Sequence, residues 1–480
     1  MLYLSLVACA VLAQPSPAPE TKSPPPITST DASDANPRNT RFAGPVIEFL
    51  TIEPRAEVHA IGDRPALVPG KPRTLTARVR NLSDTPADLR LRWLDVSVEL
   101  PTLAPAAATT HTFTIEPDRS PFDSIVHLER RRDSSWELAD TAETFGPQAM
   151  RVAVLVDQRS FDAAEARFGS FSRRLRKSLD DLHELFDRTN ADDPADLRPP
   201  VADRFRLEHV EFFDSSVKTQ HPLFVSHPTH DIVIAVNENA GLCCFWLPQY
   251  SIGHDFYAKH LNKGIWSDFG EQALWHELIH FRGVPDFYIY DIPKEALPSR
   301  ATAHVGLPEI YRRDIMNSPY QPPRISFLTA SIMNSKRGVS RVGACEEPDH
   351  PFGHQWTWTP RRLSVRLTQQ GKPLPDATIR WFRSRPMDFR DPRMQGVPAD
   401  AAPDGTLTAS PQGLADIEGD YLGRADLRHK RSLWLLIEVT HDAKRRFAVI
   451  SGLWLNERFA RGDTDHTTLE LDLDALTIIP

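Results

Sequence analysis

The chain has 480 residues, 40% of them hydrophobic and 25% charged, which is a globular composition and calls for about two to four domains. Its 56 Lys and Arg against 64 Asp and Glu leave a net charge of −8 at pH 7, which argues against a general nucleic-acid binder. Beyond the first residues no apolar run reaches the length of a membrane-spanning helix.

Residues 1–13, MLYLSLVACAVLA, are an apolar run ending in small residues, the pattern of a secretory signal cleaved after Ala13. No basic residue precedes the run. Leu6-Val7-Ala8-Cys9 also resembles a bacterial lipoprotein cleavage box, which would anchor the chain through Cys9. Both readings give a secreted, cell-surface or periplasmic protein. Residues 14–41 are rich in Pro, Ser, Thr and Ala and nearly free of large apolar groups, so an extended linker is expected. Loss of the leader would leave Cys243, Cys244 and Cys345, with Cys345 able to pair with either member of the adjacent pair and one thiol left over.

From 42 to 146 apolar residues alternate with polar ones. Leu75, Ala77 and Val79 do so in RTLTARVRN, and Leu89, Leu91 and Trp93 in LRLRW, with a similar run in THTFTIEP. Short alternating strands separated by turns predict a β-sandwich of immunoglobulin-like type. At Met150 the rhythm changes, and MRVAVLVDQ reads as a strand buried on both faces. A single long helix is expected over 161–188, capped by Ser160, with Phe161, Ala164, Phe168, Phe171, Leu175, Leu179, Leu182 and Leu185 on its buried face. Arg173, Arg174, Arg176 and Lys177 would then form its solvated face. FRLEHVEFF and HDIVIAVNE read as further strands, and ISFLTASIMNS as a helix closing the region. Residues 147–345 thus predict a central α/β domain. From 358 to 480 the strand-like runs RLSVRLTQQ, SLWLLIEVT and RFAVISGLWLN predict a second all-β sandwich.

The chemistry concentrates in Gly270-Glu271-Gln272-Ala273-Leu274-Trp275-His276-Glu277-Leu278-Ile279-His280. On a helix, residues four apart share a face, so His276 and His280 can bind one metal ion. Glu277 lies about 100° round from His276, within reach of a water on that metal without ligating it. Asp268 or Ser267 would cap the helix and Gly283 would end it. Residue frequencies give such a His-Glu-x-x-His string by chance in roughly 4% of chains like this one, and in about one in ten thousand once Gly283 and Asp286 are required at their offsets.

His276-Glu277-x-x-His280-x-x-Gly283-x-x-Asp286 resembles the zinc signature of the metzincin metallopeptidases, in which a glycine turns the chain back to supply a third ligand. It departs from most of that family in carrying Asp286 where a third histidine is usual, as the snapalysin-like minority does. A carboxylate is a competent zinc ligand. The resemblance implies a metzincin-like core, zinc as cofactor, and a methionine turn beneath the metal. Met316, in Asp314-Ile315-Met316-Asn317-Ser318, is preferred for that turn over Met333, which lies in the predicted closing helix. A glutamate supplied later in the chain, as in gluzincins, would be Glu295 or Glu309, and Asp286 is preferred to both.

Tyr288 and Tyr290 could donate to a developing oxyanion, although core packing is the plainer role. Asn237-Glu238-Asn239-Ala240-Gly241 could form the rim of the cleft. His221, His227, His230, His350 and His354 lie in loop-like sequence where exposed or locally bonded histidine is the default. The overall expectation is a multidomain, secreted zinc metalloendopeptidase acting on peptides or proteins, its α/β domain flanked by two β-sandwiches. The alternative is a secreted adhesion or binding protein with a structural or degenerate zinc site, and a non-peptide amide substrate also remains open.

Overall fold

The computed structural model describes residues 41–53, 72–115, 124–145, 149–192, 201, 203–213, 230–237, 244–246, 249–253, 268–284, 287, 304–305, 314–317, 323–335, 358–388, 391–397, 401–419, 421–422, 434–476 and 478–479. The expected leader, Cys9 and residues 14–40 of the expected linker lie outside these residues, as do Cys243, Cys345, Tyr288, Tyr290, Glu295, Glu309, His221, His227, His350 and His354. The chain is built mostly of β-sheets with few helices, in several sheets.

Seven strands come first: β1 (Pro45–Glu53), β2 (Arg73–Asn81), β3 (Leu89–Trp93), β4 (Val96–Glu99), β5 (Ala108–Ile115), β6 (Ile125–Arg132) and β7 (Ser135–Glu143). They form two antiparallel sheets, β1-β2-β5 and β4-β3-β6-β7. The alternation read from RTLTARVRN and LRLRW is realised residue for residue, each odd position being buried. Ile47, Leu75, Ala77 and Val79 from one sheet share a core with Leu89, Leu91, Trp93, Val126 and Leu128 from the other. The Trp93 indole donates to Ser124 Oγ at 2.8 Å and meets Phe113 edge to face, so its polar handle is satisfied within the sandwich.

The sheet that follows is mixed. It comprises β8 (Ala149–Asp157), β9 (Arg204–Phe213), β10 (Ile232–Asn237), β11 (Cys244–Trp246) and β12 (Gln249–Gly253), in the order β11-β12-β10-β8-β9. All neighbours are parallel except the edge strand β11, which is antiparallel to β12. Every residue of β8 is buried, as its unbroken apolar run predicts for a strand covered on both faces.

The single helix expected over 161–188 is two helices, α1 (Gln158–Phe168) and α2 (Phe171–Asp192). Gly169 breaks them apart at φ +86°, where a side chain would be strained and a Cβ would come within 2.8 Å of Phe42 O. The cap is also corrected: Asp157 accepts from Ser160 N at 2.7 Å, so Ser160 receives the cap instead of providing it. The solvated basic face does not exist as expected. Arg174 is fully buried against Glu271, and Arg176 pairs with Asp140 at 2.7 Å and donates to Ile47 O. Only Lys177, paired with Asp181 one turn on, keeps a third of its side chain exposed among these four. The reason is packing, since α2 lies against β1 and β9 and against a third helix and has no open side for these arginines.

That third helix is α3 (Asp268–Phe281), followed by the short strand β13 (His304–Val305) and α4 (Phe327–Ser335). The C-terminal strands are β14 (Arg362–Gln369), β15 (Lys372–Pro373), β16 (Thr378–Arg383), β17 (Arg385–Asp388), β18 (Asp391–Gly396), β19 (Gly405–Thr408), β20 (Leu414–Glu418), β21 (Trp434–His441), β22 (Lys444–Ser451), β23 (His466–Asp472) and β24 (Ile478–Ile479). One sheet runs β13-β22-β21-β16-β19, a second β15-β14-β20 with β23 alongside β14, and β17-β18 is a separate hairpin. RFAVISGLWLN is not one strand: it changes at Ser451, whose hydroxyl accepts from Leu453 N to start α5 (Gly452–Ala460). α5 packs on α4, and Arg461 lies 4.2 Å over the Phe327 ring.

His183 on α2 supplies a pH test of this packing. It is buried, and its Nε2 accepts from Phe205 N at 2.9 Å, so the ring is neutral. Burial, with a smaller push from Arg204, holds its pKa well below the usual 6.5. Below pH 6.5 the unfolded chain therefore binds a proton that the folded chain refuses, and stability falls with pH. Melting temperatures measured from about pH 5 to 8 should fall less steeply on the acid side in His183→Gln than in the parent chain; equal slopes would contradict a neutral, buried His183.

Candidate metal centre

Helix α3 is buried nearly all round, and Leu274, Trp275, Leu278 and Ile279 are each at most 1% exposed. A helix in that position must find a partner for each polar side chain it carries. Glu271 pairs with Arg174 of α2 at 2.5 Å, and the Trp275 indole donates to Ser178 O at 2.9 Å. Arg282, just past the helix, donates through Nε to Asp203 at the head of β9 at 2.6 Å. These three links fix the helix along its length and about its axis.

The same helix carries His276 and His280, both buried, with ring centroids 4.5 Å apart and planes at 82°. His276 Nδ1 lies 2.8 Å from Ile315 O, and His280 Nδ1 lies 2.6 Å from Val284 O. A carbonyl only accepts, so in each ring Nδ1 carries the proton and the lone pair is on Nε2, the tautomer in which imidazole binds metal through Nε2. Gly283 makes the second tether possible. At φ +83° it donates to His280 O at 2.8 Å and turns the chain so that Val284 O comes back to the ring. Glu277 is buried between the two histidines in sequence.

The turn Asp314–Asn317, closed by Asn317 N donating to Asp314 O at 2.9 Å, holds Met316 fully buried. Ile315 O takes His276, and the next carbonyl, Met316 O, accepts from Phe287 N at 2.8 Å. Met316 therefore sits in the turn bonded to the histidine helix, while Met333 lies in α4. The Asp314 carboxylate is buried beneath that turn. Burial pushes its pKa up, against hydrogen bonds from Ser326, Met316 and Thr329 that pull it down.

Two imidazoles on one helix face, each bound to a carbonyl through Nδ1, fit a zinc ion through Nε2. Asp286, the third donor of the motif, lies outside the described residues, and among those residues no group of three His, Cys, Asp or Glu side chains converges on a metal position. The sequence did not reveal Arg174, Asp203, Arg282 or Asp314 as supports of the site. In the sequence Asp314 stands in the methionine string without a role, and Arg174 occupies a position that the pattern marks as solvated. His230 also departs from expectation: it is buried 3.8 Å from the Glu208 carboxylate, in a charged cluster with Arg151 and Arg206.

No family model matches the chain, and no curated protein matches it. Among solved structures, a Bacteroides fragilis protein described as a β-galactosidase is 13% identical at a TM-score of 0.17, over 48% of this chain and 34% of its own. A Bacteroides uniformis β-glucuronidase gives 9% and 0.18, over 89% of this chain and 62% of its own. A calcium-binding mutant of a β-glucuronidase from the same organism gives 8% and 0.18 over the same shares. The chain spans less than two thirds of each. These neighbours are glycoside hydrolases and not peptidases, which runs against the expectation of a zinc metalloendopeptidase, and that expectation is withdrawn. At such TM-scores the likeness supports neither a shared fold nor a glycosidic substrate.

The Arg174–Glu271 pair gives the test of how α3 is held. Removing either partner leaves a charge buried, and Glu271→Ala should cost about 3–5 kcal/mol in denaturant unfolding. The double variant Arg174→Met/Glu271→Leu should recover most of that loss. A loss below about 1 kcal/mol for the single variant would mean that the pair does not hold the helix.

Proposed function

We propose that the chain is a zinc-dependent hydrolase with a metzincin-type centre, in which His276, His280 and Asp286 hold the metal. The observation that carries this reading is the pair of tethers, His276 Nδ1 to Ile315 O and His280 Nδ1 to Val284 O, which leaves the lone pair of each ring on Nε2. Bound zinc would lower the pKa of a water molecule and polarise the substrate oxygen. Glu277 takes the proton of the attacking water and returns it to the leaving group. Its place one residue after His276 on a pinned helix fixes the height at which its carboxylate works. Gly283 and the Met316 turn support the histidines without touching the reacting atoms. Asp286 would add a negative charge to the ligand set, which would leave a zinc-activated water less acidic than three imidazoles would.

Export belongs to the same reading. The apolar residues 1–13 with small residues before Gln14 support a secreted protein, or one anchored through Cys9 at a cell or periplasmic surface. The β-sandwiches would then hold the centre near an extracellular polymer.

The test pairs metal content with turnover. The purified chain should hold about one zinc, which His276→Ala and His280→Ala should release. Glu277→Gln should keep the zinc while hydrolysis across a panel of amide, ester and glycosidic substrates drops by about 10²–10⁴-fold. Parental activity in Glu277→Gln, or zinc retained by both histidine variants, would contradict the reading.

A further inference from the structure

We infer that Asp314 is the positioning residue of the centre: its carboxylate sets the 314–317 turn so that two successive carbonyls, Ile315 O and Met316 O, hold the His276 ring and the Phe287 segment together. The inference rests on the reading of His276 and His280 as metal ligands.

Asp314 is fully buried. One carboxylate oxygen, Oδ1, accepts from Met316 N at 2.7 Å, inside the turn. The other, Oδ2, accepts from Ser326 N at 2.6 Å and from Thr329 Oγ1 at 2.9 Å, at the start of α4. Ile315 N donates to Arg324 O at 2.9 Å, so the turn is tied by backbone and side chain to the same segment. The two residues after Asp314 then present their carbonyls in different directions, Ile315 to His276 and Met316 to Phe287, which directly follows Asp286 in sequence.

Closing a four-residue turn does not need this arrangement. The bond from Asn317 N to Asp314 O closes it already, and a buried side chain could be apolar. A carboxylate is required because donors converge on it from both sides: Met316 N–H from the turn, and Ser326 N–H and Thr329 O–H from α4. An asparagine has one acceptor oxygen, and its NH2 group would face a donor on the other side. The chain thus places an acceptor of three hydrogen bonds directly before the residue whose carbonyl orients a ligand histidine. A shift of the turn moves Ile315 O and, with it, the direction of His276 Nε2. Hydrogen-bond partners of this outer kind set metal affinity as much as position.

The test measures zinc affinity by competition with a chromophoric chelator, together with the visible spectrum of the cobalt(II)-substituted full chain. Asp314→Asn should raise the zinc Kd by about 10–100-fold and alter the cobalt bands, which report ligand geometry. Thr329→Val removes one of the three donors at nearly constant volume, and should shift affinity and spectrum in the same direction by a smaller factor. Parental zinc affinity and cobalt spectrum in both variants, with only the melting temperature lowered, would reduce Asp314 to a structural role and overturn the inference. If Asp314→Asn does not fold, Thr329→Val decides alone by the same criteria. If His276→Ala and His280→Ala bind zinc as the parent does, the ligand reading itself fails, and the inference with it.

Discussion

An imidazole offers one nitrogen in a fixed direction only when its other nitrogen is committed, and in this chain the commitments are two backbone carbonyls. His276 is held by Ile315 O and His280 by Val284 O. The first carbonyl belongs to a turn about forty residues down the chain, the second to the chain reversal that Gly283 allows. Sliding or rotating α3 relative to that turn would break the first tether, so the arrangement depends on holding the helix still. Glu271, Trp275 and Arg282 do so against α2 and the head of β9.

Much of this holding is done by buried charge. Arg174 and Glu271 are both essentially inaccessible, as are Arg282 and the Glu208 carboxylate between Arg151 and Arg206. Desolvating such groups costs several kcal/mol per ion, and apolar side chains of the same volume would often give equal or greater stability. What ion pairs add is direction: a guanidinium meets a carboxylate in few geometries, whereas leucines pack in many. A helix whose faces are nearly all buried and apolar needs such markers to settle at one height and one rotation.

The elements were legible in the sequence where a single periodicity governs the burial. The alternation of RTLTARVRN and LRLRW gave the sandwich strands, the unbroken apolar run of MRVAVLVDQ gave β8, and ISFLTASIMNS gave α4. The same holds for the helix bearing His276 and His280 and for the stop at Gly283. Periodicity misled where the deciding partner lies far along the chain. Arg174 occupies a position on α2 that a pattern alone marks as solvated, and only Glu271, ninety-seven residues later, brings it inside. The break at Gly169 does not show in the sequence because the apolar spacing carries across it, nor does the onset of α5, because GLWLN is as apolar as the strand before it. The role of Asp314 is hidden in the sequence for a related reason: it comes from Ser326 and Thr329, which reach it only once α4 has packed.

The central claim is that the nitrogens of His276 and His280 and the carboxylate of Asp286 surround one zinc ion. X-ray absorption at the zinc edge of the purified chain tests it most directly. The account predicts a first shell of nitrogen and oxygen at about 2.0–2.2 Å with the multiple-scattering pattern of two imidazoles. Sulfur scatterers near 2.3 Å, or a first shell without the scattering of two imidazoles, would contradict it.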